Sequence, residues 1–137
     1  VYVIINWYMI LVVINMLKAC GKLDDDSKKR TILLNMSSDI IDWMIEETKD
    51  ADEKQAYECY AYLVKFLKNS LTEEDIATLN GILYSDKGDD PLKASVALLL
   101  KNKSAFDVFY SKMTKDEKEN FKKLPFSEIM LWKELSF

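Results

Sequence analysis

The stretch Asn69–Asp90, NSLTEEDIATLNGILYSDKGDD, opens like the first helix of a calcium-binding helix-loop-helix and then departs from that pattern. Leu71-Thr72-Glu73-Glu74-Asp75-Ile76 puts a hydroxyl N-cap at Thr72 and an acid at the third helical position. Leu71 and Ile76 stand where a hydrophobic staple closes over the first turn, and the acids complement the positive end of the helix dipole. A calcium loop needs oxygen ligands at its first, third, fifth and twelfth positions and glycine at the sixth. Counted from Asp86, the third, fifth and twelfth positions fall on Gly88, Asp90 and Ala97, and Pro91 takes the place of the glycine. No such site can form. The stretch is helix, turn and helix restart, with Gly88 at a left-handed position, Asp90 as N-cap and Pro91 as first helical residue.

Outward from this segment the same grammar repeats. Of 137 residues only 3 are Gly and 2 are Pro, too few turn-formers for an all-β chain. Apolar residues make up 49% and charged residues 31%, a globular balance. The expected fold is all-α: a compact bundle of six to eight short and medium helices with room for an internal apolar cavity. Residues 1–21 read as a hydrophobic leader and 22–137 as a single helical domain.

The leader, VYVIINWYMILVVINML, runs uncharged to Leu17 and is followed by KACGKLDDDSKK. Three readings apply. As a secretory signal it would be cut before Lys22, after the small residues Ala19 and Gly21. As a membrane anchor or lipoprotein signal it would use residues 1–17 for membrane contact or Cys20 for a lipid. As a core helix it would stay in the fold. The expected location is secreted or extracellular, with membrane anchoring as the alternative.

From Ser27 to about Thr48, Leu33, Met36, Ile40, Ile41, Trp43 and Met44 form the expected apolar face, with Asp26 or Ser27 at the start. Asp50 and Glu53 have capping-box spacing. The helix they open, about Ala51 to Lys68, is expected to bury Ala56, Cys59, Leu63, Phe66 and Leu67 and to be central. Further helices follow from Pro91 to about Lys101 and from Ser104 to Met113. Thr114-x-x-Glu117 starts a short one that Pro125 stops. Phe126, Ile129, Met130, Trp132 and Leu135 would make a last amphipathic turn.

Chemistry is sparse. With 0 His, the commonest general base and zinc ligand are missing. Two cysteines cannot make a Cys-rich zinc site, and Cys59 reads as a buried small apolar residue. No phosphate loop, nucleophile elbow or paired-carboxylate arrangement is present. The reading is a protein that is not an enzyme, with no catalytic residues, no metal site and no cofactor. Net charge is −4, with the basic residues scattered among acids, which argues against a nucleic-acid partner.

Over Phe66 to Leu124 the chain resembles the nematode fatty-acid- and retinol-binding family. The matching stretches are FLKNSLTEEDIATLNGIL, ASVALLLKNKSAFDVFYSKM and FYSKMTKDEKENFKKL. Ile32 to Glu47 and the Trp132-containing tail have no counterpart. The resemblance implies a secreted all-α carrier of a fatty acid or retinoid. Ligand-lining candidates, taken from the facing stripes of the middle helices, are Leu63, Phe66 and Leu67, then Leu79, Ile82 and Leu83, then Val96 and Leu99, then Phe106 and Phe109. Lys65 or Lys101 would meet a ligand carboxylate. The alternative is a membrane-tethered or secreted helical module that binds a protein partner and has no ligand cavity.

Overall fold

The computed structural model describes the backbone of residues 2–128 and the side chains of residues 8–127. It is all-α: the described residues form seven α-helices and a closing 3-10 turn, with no strand. They group into two compact units, Val1–Asn69 and Ser70–Phe137.

The first unit holds α1 (Tyr2–Gly21), α2 (Lys28–Glu47) and α3 (Ala51–Leu67). The apolar leader is a packed helix here: Val13, Leu17 and Cys20 have no solvent exposure, and α1 contacts both α2 and α3. Ser27 caps α2 by accepting from the Arg30 N–H, and Asp50 caps α3 by accepting from the Asp52 and Glu53 N–H groups. Glu53 does not complete a capping box; its carboxylate accepts from the Thr48 hydroxyl instead.

The buried seam of α2 differs from the expected one. It is Arg30, Leu34, Ser37, Ile41 and Met44, at alternating four- and three-residue steps. Leu33 and Ile40 are half-buried and Met36 is exposed. Two polar residues fit the seam because each finds a partner. The Ser37 hydroxyl donates to the Leu33 carbonyl at 2.8 Å, one turn back on the same helix. Arg30 donates to the Asp25 carboxylate at 2.9 Å, to the Leu23 carbonyl and to the Leu67 carbonyl. That last bond serves one of the carbonyls that the end of α3 leaves unpaired. The chain then leaves α3 through Asn69, whose φ of 56° lies in the left-handed region that asparagine tolerates. On α3, Cys59, Leu63, Phe66 and Leu67 are buried as expected, Tyr60 and Val64 join them, and Ala56 is exposed.

The second unit holds α4 (Glu73–Leu83), α5 (Asp90–Leu99), α6 (Lys103–Lys112), α7 (Lys115–Lys122) and the 3-10 turn Pro125–Glu128. Thr72 with Asp75 and Thr114 with Glu117 form complete capping boxes. The cap of α5 is Asp89, one residue before the expected Asp90, and its carboxylate accepts from the Leu92 N–H at 2.9 Å. Gly88 sits before it at φ 100°. Asn102 caps α6.

Within this unit α5 is the central element. Six consecutive residues, Ala94 to Leu99, are buried, and α4, α6, α7 and the 3-10 turn all pack on it. A helix apolar on every side is one enclosed by neighbours. The connection to α6 is a tight one: the Asn102 N–H donates to the Ala97 carbonyl at 2.9 Å, and the Lys101 N–H to Leu98 at 3.0 Å. This is a Schellman motif with Lys101 at φ 55°, where glycine is usual. Phe106, Tyr110 and Phe121 form an aromatic cluster with ring centroids 5.3–6.1 Å apart, joining α6 to α7. Phe126 is buried; the expected apolar positions Ile129, Met130, Trp132 and Leu135 lie outside the described residues.

Candidate functional site

The ten candidate lining residues divide between the units. Leu63, Phe66 and Leu67 are buried on α3 in the first. Leu79 and Leu83 on α4, Val96 and Leu99 on α5 and Phe106 on α6 are buried in the second, where α5 packs against both α4 and α6. Ile82 and Phe109 are only half-buried. The Phe109 ring instead carries two ammonium groups, Lys93 Nζ and Lys112 Nζ, each 5.5 Å from its centroid. Of the two lysines expected to meet a carboxylate, Lys65 has its Nζ 5.8 Å from the Tyr62 ring, and Lys101 holds the left-handed position that ends α5.

Of the expected α2 face, Ile41 and Met44 do lie in the buried seam, whereas Met36, Ile40 and Trp43 fall on another side, together with Ile32. At about 3.6 residues per turn, Ile32, Met36, Ile40 and Trp43 line up along the helix. They lie on the side turned away from the Arg30–Met44 seam. Ile32 is 57% exposed and Met36 49%, with Ile40 and Trp43 half-buried beside them. Scattered single apolar residues on a surface mean little. Four in register on one helix face make a continuous apolar strip. Periodicity could not separate this strip from the seam, because Leu33 and Ile40 bridge the two and make one broad apolar arc.

Reactive groups are shielded. Cys20 and Cys59 are free and buried. Burial pushes the Cys20 thiol up from its ordinary value, against a smaller opposing pull from the Arg30 charge. Its weak S–H donation goes to the Arg30 carbonyl. Burial likewise pushes the Tyr60 hydroxyl well above the usual tyrosine range. Among the described residues, no three acidic or thiol side chains cluster to hold a metal ion. No described helix is long and apolar enough to cross a membrane.

No family model, curated protein or solved structure matches the chain.

Proposed function

We propose that the protein is a non-enzymatic binding module whose first unit docks a partner protein on the outer side of α2. The observation that carries this reading is the exposed Ile32–Met36 pair, continued by Ile40 and Trp43. A strip of this kind suits the apolar face of an amphipathic helix, with a tryptophan and a methionine supplying the adaptable contacts that interfaces favour. The test is a double substitution, Ile32→Lys with Met36→Lys, which changes solvent-facing side chains and leaves the seam alone. A partner retained by the parent chain and lost by the double variant, with equal helicity in both, supports the reading. Equal retention by both would end it.

The second reading, the apolar carrier, draws on the second unit. Leu79, Leu83, Val96, Leu99 and Phe106 are buried together around α5, and a fatty acid or retinoid would lodge by parting α4 and α6 from that helix. Displacement of a fluorescent fatty acid from delipidated protein separates the two readings. Saturable uptake that falls on Val96→Phe favours the carrier, and its absence favours the docking strip. Secretion belongs with either reading and is tested by sequencing the N-terminus of the mature chain.

A further inference from the structure

The first unit also contains a polar recess, unrelated to the apolar strip, of about 290 Å³. It lies where the Leu23–Asp26 loop, the first two turns of α2 and the end of α3 meet. Six of its eight lining residues are polar, a lining that offers a small polar ligand more partners than it offers an acyl chain. Its volume falls near the lower end of small-molecule sites. Leu34 and Leu67 supply the apolar part of the wall.

The polar part is rich in donors. Arg30 is 3% exposed, so its guanidinium is held by the fold and is not a waving surface group. Its Nη1 and Nη2 atoms serve Leu23, Asp25 and Leu67, which leaves Nε with no acceptor among the described residues. Lys68 Nζ donates to the Asn35 side-chain carbonyl at 3.0 Å, which turns the charge toward α2 and fixes which end of the Asn35 amide remains to donate. Asn69, locked by its left-handed backbone, adds a second amide. Against these two cations stands one carboxylate, Asp25, whose side chain is 64% exposed. The first turn of α2 carries Lys28, Lys29 and Arg30 and no acid, which offsets the acidic Asp24–Asp26 loop before it.

We propose that this recess binds a small oxyanion, a carboxylate or phosphate group, through Arg30 and Lys68 with the amides of Asn35 and Asn69. Planar guanidinium and an oxyanion pair with good geometry, and a buried donor strengthens the bond. Asp25 is then a competitor: it occupies one edge of the guanidinium from a solvent-exposed loop and yields to a better-fitting anion.

The experiment is a titration of the full chain with sodium phosphate and, separately, sodium succinate, followed by amide NMR shifts at constant ionic strength set with sodium chloride. Saturable shifts confined to residues 23–35 and 67–69 are expected with one of the two, and which one identifies the anion class. Lys68→Ala should weaken that binding about three- to tenfold without lowering the melting temperature. Asp25→Asn should tighten it by a similar factor, an effect that a purely structural Asp25–Arg30 pair cannot produce. Shifts that never saturate, that chloride reproduces, or that neither substitution alters would overturn the proposal.

Discussion

The guanidinium of Arg30, near the start of α2, donates to the carbonyl of Leu67 at the end of α3, 37 residues along the chain. One buried cation thereby ties the loop after α1, the start of α2 and the last turn of α3 into one assembly. The bond also explains why a charged residue occupies a seam position that hydrophobic periodicity would give to an apolar one.

Replacing Arg30 is therefore expected to cost more than a surface charge would. Arg30→Met keeps the bulk but leaves the Leu67 and Leu23 carbonyls without their donor. The expected loss is about 3 kcal/mol, the range for stranding a buried polar group or breaking a buried charge network. Arg30→Lys retains the charge without the fork and should recover only part of it. Urea denaturation of both variants checks this, and a loss below about 1 kcal/mol in Arg30→Met would contradict it.

Two substitutions in the second unit should act in opposite chemical directions and both stabilise. Lys101 occupies a left-handed C′ position at φ 55°, which Lys101→Gly relieves. Gly81 lies inside α4, and a Cβ added there meets nothing within 4 Å. Gly81→Ala is expected to add about 0.5–1 kcal/mol, and Lys101→Gly a comparable amount less whatever the lysine contributes. Thermal melts of the two single variants and the double one are the measurement. A drop in either single variant would show that its side chain, or its absence, serves a contact beyond backbone geometry.

Raised pKa values predict a decline of stability at alkaline pH. The Cys20 thiol is raised above 9.0 by burial, and the Tyr57 and Tyr60 hydroxyls are raised above 10.0, again mainly by burial. A folded state that holds a proton more tightly than the unfolded chain has this contribution in full at lower pH. It loses the contribution once the unfolded group begins to ionise. The urea midpoint is thus expected to fall as pH rises past about 9 and to steepen past about 10. Cys20→Ala should remove the earlier part of the decline. If its profile overlays that of the parent chain, the thiol is not the group responsible.

What the sequence disclosed and what it withheld follow from range. Thr72 with Asp75 and Thr114 with Glu117 are legible because a capping box is complete within four residues, and the left-handed Gly88 is legible for the same reason. The cap of α5 was misplaced by one residue because Asp89 and Asp90 are chemically identical and only the Leu92 N–H chooses between them. Of the α2 seam, Ile41 and Met44 were legible and the polar members were not: Arg30 is satisfied by a carbonyl on α3 and Ser37 by the Leu33 carbonyl one turn back. Centrality was assigned to α3 on its wide aromatic stripe; in the first unit α2 packs more broadly on both its neighbours, and in the second Ala94 to Leu99 form the enclosed helix. Small alanines carry little hydrophobic signal but allow neighbours to approach from every side. The candidate lining residues were read correctly as inward-facing in eight of ten cases. Inward-facing is a property of core and cavity wall alike, so periodicity alone could not choose a function.

The role of α1 can be decided with one cysteine. Val13, Leu17 and Cys20 are fully buried in the first unit, so removing residues 1–21 uncovers the surfaces of α2 and α3 that pack against them. Burial of a Val or Leu side chain is worth about 1.5–3 kcal/mol, and losing two such residues with a thiol removes a large share of what a small helical unit can spare. The shortened chain retains Cys59 as its single thiol, 3% exposed in the complete unit. In the full-length Cys20→Ala variant, Cys59 should react slowly with a thiol reagent, at a rate set by opening of the unit. In the chain lacking residues 1–21 it should react at nearly the rate of an unfolded peptide, with loss of the cooperative melt of α2 and α3. Protection of Cys59 in the shortened chain would instead mean that α2 and α3 stand without α1. The apolar leader would then be a dispensable segment, as the cleavable-signal reading requires.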